Sequence, residues 1–269
     1  MAFTWSPGQP GAVRAGGKTL EAACYGPPPS EAPTIVMLHE GLGCVALWRD
    51  FPQRLAEGIG YGVFVYSRAG YGQSDPADLP RPLDYMTREA VDVLPEILDA
   101  SGVEHAILLG HSDGATISAI YAGSIADHRV RGLVLMAPHF FTEPGGLAAI
   151  RQAHTAFETG DLRSRLAKYH AEPDVAFRGW NGAWLDPGFE SWNVADVLDQ
   201  MPVPVLAIQG EVDQYGTMAQ VEVIAERSPA PISIQMLPGC GHSPYLEEPE
   251  KTLAAITRFV GGLGRAGTP

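Results

Sequence analysis

One serine in this chain stands where a nucleophile would be activated. Ser112 lies in Gly110-His111-Ser112-Asp113-Gly114, with the apolar run Ala106-Ile107-Leu108-Leu109 before it and the small-residue run Ala115-Thr116-Ile117-Ser118-Ala119-Ile120-Tyr121 after it. Strand, glycine-flanked serine and helix in that order make a nucleophile elbow, a tight corner that presents the serine oxygen outward. The glycines suit the corner, because strand and helix backbones approach closely there and the serine takes an unfavourable backbone angle. The N–H groups that open the helix point at the same spot. A serine hydroxyl is a weak nucleophile at neutral pH and needs a base. Two later loops supply the parts: Gln209-Gly210-Glu211-Val212-Asp213 carries carboxylates, and Pro238-Gly239-Cys240-Gly241-His242 carries an imidazole. Ser112, Asp213 and His242 in that order form a proton-handling triad, with His242 as base and Asp213 as the acid that orients it. Glu211 and Asp113 compete for the last role. The loop needs several residues to swing a short carboxylate across to an imidazole, which favours Asp213 over Glu211. Asp113 reads as a first-turn acid at a helix N-terminus that contributes its backbone N–H.

These residues need elements to hold them. Thr34-Ile35-Val36-Met37-Leu38 and Gly62-Val63-Phe64-Val65-Tyr66 are continuous apolar runs of the kind that sit in a parallel sheet covered on both faces. Helices follow from about Leu47 to Glu57 and from Met86 to Ala100. Strand His105–Leu109, the elbow, helix Ala115–Ile125 and strand Gly132–Met136 continue the alternation. Ahead of them the Gly- and Pro-rich residues 1–30 form an edge hairpin, with extended stretches near Gly11–Ala15 and Lys18–Tyr25. From His139 to about Met201 the rhythm changes to helices: Leu147, Ile150, His154 and Phe157 recur at helical spacing, and Phe177, Trp180 and Trp184 make an aromatic stripe. Strand Val203–Ile208, helix Met218–Glu226, strand Ile232–Leu237 and helix Glu250–Val260 restore the alternation. The chain thus divides into a doubly wound α/β core, 1–138 and 202–269, and a helical insertion, 139–201. In such sheets ligands bind beyond the carboxyl ends of the strands, where Ser112, Asp213, His242 and the loop His39-Glu40-Gly41-Leu42-Gly43 all fall.

Composition narrows the function classes. A net charge of −13 makes nucleic acid and anionic membrane poor partners. Without an apolar run of about 18 residues, or the basic and apolar regions of a signal peptide at the start, a cytoplasmic protein is expected. Cys24, Cys44 and Cys240 are too few for a disulfide framework, and no Cys/His cluster has zinc spacing, so no metal or other cofactor is called for.

The Ser112, Asp213 and His242 motifs together resemble the α/β-hydrolase superfamily, in its cap-bearing serine esterase-like branch, over about Thr34 to Val260. The resemblance implies a mostly parallel eight-stranded sheet flanked by helices, with a helical cap inserted after the sixth strand. It implies an oxyanion hole from the backbone N–H groups of Asp113 and Leu42, with Gly41 as the alternative because His39-Glu40-Gly41 is one residue longer than the usual His-Gly pair. It also places an acid before the turn Arg68-Ala69-Gly70-Tyr71-Gly72, where this chain has Tyr66 and Ser67. The expected activity is hydrolysis of a small to medium carboxylic ester or lactone through an acyl-enzyme. Carbon-carbon bond hydrolysis of a diketone, enol-lactone opening and a small-molecule receptor on the same scaffold stand as alternatives. Phe140, Phe141, Trp180 and Trp184 are candidates for the pocket wall. Arg151, Arg163, Arg165 and Lys168 fall on the polar faces of their helices. Arg178 has no assigned side, and an inward orientation would favour a carboxylate-bearing substrate. The oligomeric state is not legible.

Overall fold

The continuous apolar runs become the centre of an eight-stranded sheet in the computed structural model, which describes residues 3–263. Strands β1 (Pro10–Ala15) and β2 (Lys18–Tyr25) form the hairpin, and β3 (Thr34–Leu38) leads to α1 (Phe51–Ile59) and β4 (Gly62–Tyr66). Helices α2 (Tyr85–Arg88) and α3 (Leu94–Ser101) precede β5 (Ala106–His111), α4 (Asp113–Ser124) and β6 (Val130–Met136). Between β6 and β7 (Val205–Gly210) lie α5 (Pro144–Thr159), α6 (Leu162–Leu166) and α7 (Pro173–Trp184). The chain closes with α8 (Ala219–Arg227), β8 (Ile232–Leu237), α9 (Pro244–Glu247) and α10 (Pro249–Leu263).

The strand order is β1-β2-β4-β3-β5-β6-β7-β8, with β2 antiparallel to both neighbours and every pair from β4 to β8 parallel. Side chains alternate between two cores, as period-2 strands require. Val36, Leu38 and Leu108 face the core under α3 and α4, while Ile35, Met37, Ile107 and Leu109 face the one under α1 and α10. Helix α4 is apolar or small all round and buried along most of its length, as a helix between sheet and insertion must be.

Two helices differ from the sequence reading. The expected helix from Leu47 to Glu57 is a 3₁₀ turn, Val45–Trp48, then a break at Arg49 with φ of 55°, then α1. Pro52 explains the fresh start, since proline fits the first turn of a helix and not its interior. The expected helix Met86–Ala100 runs as α2, a π-helical segment Glu89–Val93 and α3. Pro95 has no N–H to continue the hydrogen-bond ladder, and the register shifts just ahead of it.

The topology fixes the site. Strand β3 pairs with β4 on one side and β5 on the other, so the chain's direction of winding reverses there, and Leu38 lies opposite Gly110. The 39–43 loop and the Ser112 corner therefore sit side by side at the switch point, where open sheets leave a crevice.

Candidate active site

Ser112 has φ 52° and ψ −119°, a conformation that L residues rarely hold and that costs on the order of 1–3 kcal/mol. The two glycines make the corner possible. A Cβ on Gly110 would fall 2.2 Å from the Gly114 carbonyl oxygen, and one on Gly114 would fall 2.1 Å from the Leu38 oxygen. The Ser112 N–H donates to the Met136 carbonyl at 2.9 Å, which ties the corner to the end of β6. Its hydroxyl has no hydrogen-bond partner among the described residues and faces a cavity of about 140 Å³.

His242 lines the same cavity. Its Nδ1 lies 2.8 Å and 3.0 Å from the two carboxylate oxygens of Asp213. The Asp213 carboxylate also accepts from the Tyr215 N–H at 2.8 Å and from Gln209 Nε2 at 2.9 Å. Burial would raise this carboxyl, but the hydrogen bond and charge of His242 and the Tyr215 N–H outweigh it and hold it below its ordinary value. Glu211 is exposed. The histidine is fixed on its other flank too: His111 Nε2 donates to the His242 carbonyl at 2.7 Å, and the Tyr215 ring lies 4.7 Å from the imidazole.

The N–H groups of Asp113, Gly41 and Leu42 donate to no acceptor among the described residues, and all three residues line the cavity. Arg68 holds the 39–43 loop in place. Fully buried, its guanidinium donates to the His39 carbonyl and, at 2.9 Å, to that of Glu40. Its backbone N–H donates to His39 Nε2 at 3.0 Å. The acid that the resemblance places at this corner comes from another strand. Ser67 Oγ donates to Glu21 Oε2 of β2 at 2.6 Å, and the Val45 N–H donates to Ser67 Oγ.

Asp113 is more than a first-turn acid. Its buried carboxylate accepts from Tyr85 Oη at 2.6 Å, and Tyr85 Oη in turn accepts from Trp184 Nε1 at 3.1 Å. Burial pushes the Asp113 carboxyl up, against the pull of Arg68 at 3.9 Å and of Tyr85. Glu40, which also borders the cavity, goes the other way. Burial alone would raise it, but His111, with Nδ1 3.4 Å away, brings it below its ordinary value.

Of the four aromatic candidates, Trp180 and Trp184 line the cavity and Phe140 and Phe141 do not. Phe140 is fully buried in the core beneath the insertion, and Phe141 pairs with Asn193 in an isolated bridge. The reason is local: His139, one residue earlier, takes the inward position, and its neighbour turns into the core. Trp180 lies directly over the 39–43 loop, where a Cβ on Gly41 would meet its ring at 2.2 Å. His139, Ile150 and Tyr215 complete the wall and were missed. The rule that places ligands at strand ends points to His139, which follows β6 by three residues and also opens the helical stretch. Arg178 points away from the cavity, half exposed and paired with Glu158 at 3.1 Å. Arg151, Arg163, Arg165 and Lys168 are exposed, as their spacing implied. No lysine or arginine borders the cavity among the described residues.

Known proteins share this fold. The family model described as "Alpha/beta hydrolase family" matches residues 35–256. The sequence is 24% identical to the pimeloyl-[acyl-carrier protein] methyl ester esterase of Aeromonas hydrophila subsp. hydrophila over 257 residues, 86% of this chain and 96% of that one. The proline iminopeptidase of Mycobacterium smegmatis has the same fold, with a TM-score of 0.74 at 19% identity, covering 97% of this chain and 100% of that chain. So does the enol-lactonase from Burkholderia xenovorans LB400, with a TM-score of 0.71 at 18% identity over 93% and 99% of the two chains.

Proposed function

Because the chain belongs to the alpha/beta hydrolase family, we propose that it is a serine hydrolase of small to medium, uncharged carboxylic esters or lactones. The observation that carries this reading is the pairing of His242 Nδ1 with Asp213 in the cavity that the strained Ser112 faces. With Nδ1 committed to the carboxylate, Nε2 is left to take the Ser112 proton as the hydroxyl oxygen attacks the carbonyl carbon. The carbonyl oxygen, gaining negative charge, is met by the N–H of Asp113 and that of Leu42 or Gly41, each such donor being worth about 3 kcal/mol. Collapse of the tetrahedral intermediate expels the alkoxide, which His242 protonates, and leaves an acyl group on Ser112. Water, deprotonated by the same imidazole, releases the acid. Residues 139–201 act in this reading as a cap, closing the cavity with Ile150, Trp180 and Trp184.

Size and charge support the substrate class. A cavity near 140 Å³ holds a group of roughly six heavy atoms. The Glu40 carboxylate at its wall, with Arg178 turned outward, disfavours an anionic substrate and with it the carboxylate-bearing diketone. The test is labelling by a fluorophosphonate, followed by turnover of p-nitrophenyl esters of graded chain length and of lactones. Wild type should take one label per chain and turn over many substrate molecules. Ser112→Ala should fold and lose both, and a variant that kept more than a few per cent of the rate would move the nucleophile elsewhere.

A further inference from the structure

His139 is a polar residue of the cavity wall with no assigned work. The residue is 4% exposed and lines the cavity with Ser112 and His242. Neither ring nitrogen has a hydrogen-bond partner among the described residues, whereas His39, His111, His154, His170 and His242 each use at least one. The two nitrogens are not among the enclosed unpaired polar atoms of the described residues, so they open onto the cavity and take their partner from whatever fills it.

The backbone that carries the ring is held in one place. The His139 N–H donates to Thr116 Oγ1 at 3.2 Å, and that hydroxyl donates back to the His139 carbonyl at 2.6 Å. Thr116 belongs to α4, the helix that opens at Ser112, so His139 and the nucleophile share one rigid support. Around the ring lie the edge of Trp184 at 5.4 Å, the His242 imidazole at 5.7 Å and the backbone of Gly216, where a Cβ would fall 3.0 Å from Cε1. Ala137, with φ of 47°, bends the chain at the end of β6 and sets this direction. Burial, reinforced by the nearby His242, lowers the imidazole to about 3, so it is neutral at any working pH and offers one N–H donor and one lone pair.

We propose that His139 is a specificity residue that hydrogen-bonds a hydroxyl or carbonyl group borne by the substrate close to the scissile bond. The preferred substrate is then a hydroxyacyl or oxoacyl ester, or the corresponding lactone, in place of a plain alkyl one. This rests on the ester-hydrolase reading above. A site built around such a hydrogen bond discriminates against the analogue that lacks it, because the protein group is then buried without a partner.

The experiment compares kcat/KM for p-nitrophenyl butyrate with that for its 2-hydroxy, 3-hydroxy and 3-oxo counterparts. Wild type should prefer at least one substituted ester by about tenfold. His139→Phe should bring that ratio near one, while His139→Asn, which keeps a donor and an acceptor, should retain most of it. Calorimetric binding of the same uncleaved esters to Ser112→Ala, with and without His139→Phe, reads the preference without turnover. A wild-type ratio near one in both measurements, or a ratio that survives His139→Phe, overturns the assignment. Failure of wild type to cleave any ester or take the phosphonate label would instead sink the hydrolase reading, and the binding ratio would still report on His139.

Discussion

The two aspartates near Ser112 separate by what each carboxylate touches. Asp213 accepts from His242 Nδ1, Tyr215 N–H and Gln209 Nε2, and so fixes the imidazole tautomer and its rotation. Asp113 accepts from Tyr85, leaves Oδ1 without a partner and is pushed toward its neutral form by burial. Asp113 makes no hydrogen bond to His242 among the described residues, whereas an amide in place of Asp213 loses the charge that holds imidazolium. Asp213→Asn should therefore lower kcat by about 10⁴, and Asp113→Asn by no more than about tenfold. Steady-state rates of the two purified variants give the comparison, and the reverse order would hand the orienting role to Asp113. At this scale the sequence was readable where a side chain acts next to its own motif. Asp213 and His242 fall in short loops after strands, and loop length alone separated Asp213 from Glu211. It was unreadable where a side chain acts at a distance. Arg68 works on carbonyls 28 and 29 residues away, and Glu21 supplies a carboxylate to Ser67 across 46 residues. No periodicity or spacing records such pairings.

Between elements, the tightest meeting is that of α7 with the loop after β3. Trp180 packs on Gly41 with no room for a Cβ, while His170 Nε2, just before α7, meets the Leu42 carbonyl at 3.1 Å. Helix α7 thus presses on the two residues proposed to supply the second oxyanion donor. Gly41→Ala should push the Trp180 ring and the loop apart and cut kcat/KM by tenfold or more. Adding Trp180→Ala should return part of that loss, because the clash is then removed, and the double-mutant cycle should show coupling of 1 kcal/mol or more. Strictly additive losses would mean that loop and insertion do not communicate through this contact. Elements of this kind were legible in their centres and less so at their ends. The strands declared themselves as apolar runs, and the helices between β6 and β7 by their change of period. The helix from Leu47 to Glu57 did not declare its break at Arg49, because hydrophobic spacing continues across Trp48 and Phe51 into the same core. Trp180 and Trp184 looked alike in the stripe with Phe177, yet Phe177 stacks on Phe157 at 3.9 Å within the insertion and the two tryptophans reach the cavity.

Across the whole molecule, acid sensitivity follows from which buried groups stay neutral. Burial lowers the imidazoles of His39, His139 and His170 in the folded chain, His139 to about 3. In the unfolded chain each returns to about 6.5. Below that value the unfolded state binds protons that the folded state refuses, so stability falls as pH drops from about 6.5 toward the depressed folded values. Asp113 and Glu89 oppose this. Their carboxyls are raised by burial, so they favour the folded state at low pH and lose that contribution as pH rises from the ordinary carboxylate range. Asp213 and Glu40 act later in the acid direction, since depressed carboxyls stabilise the fold until pH falls below about 4. The sum mixes signs, and a single variant isolates one of them. His139→Phe removes one refused proton and keeps a ring of similar shape. From pH 7.5 to 5.5, wild type should lose about 1.4 kcal/mol more unfolding free energy than this variant, the linkage value for one histidine that titrates only when unfolded. Urea unfolding of both proteins at the two pH values measures it. Equal losses would require that His139 takes up its proton in the folded state, which its burial between Trp184, Gly216 and His242 opposes.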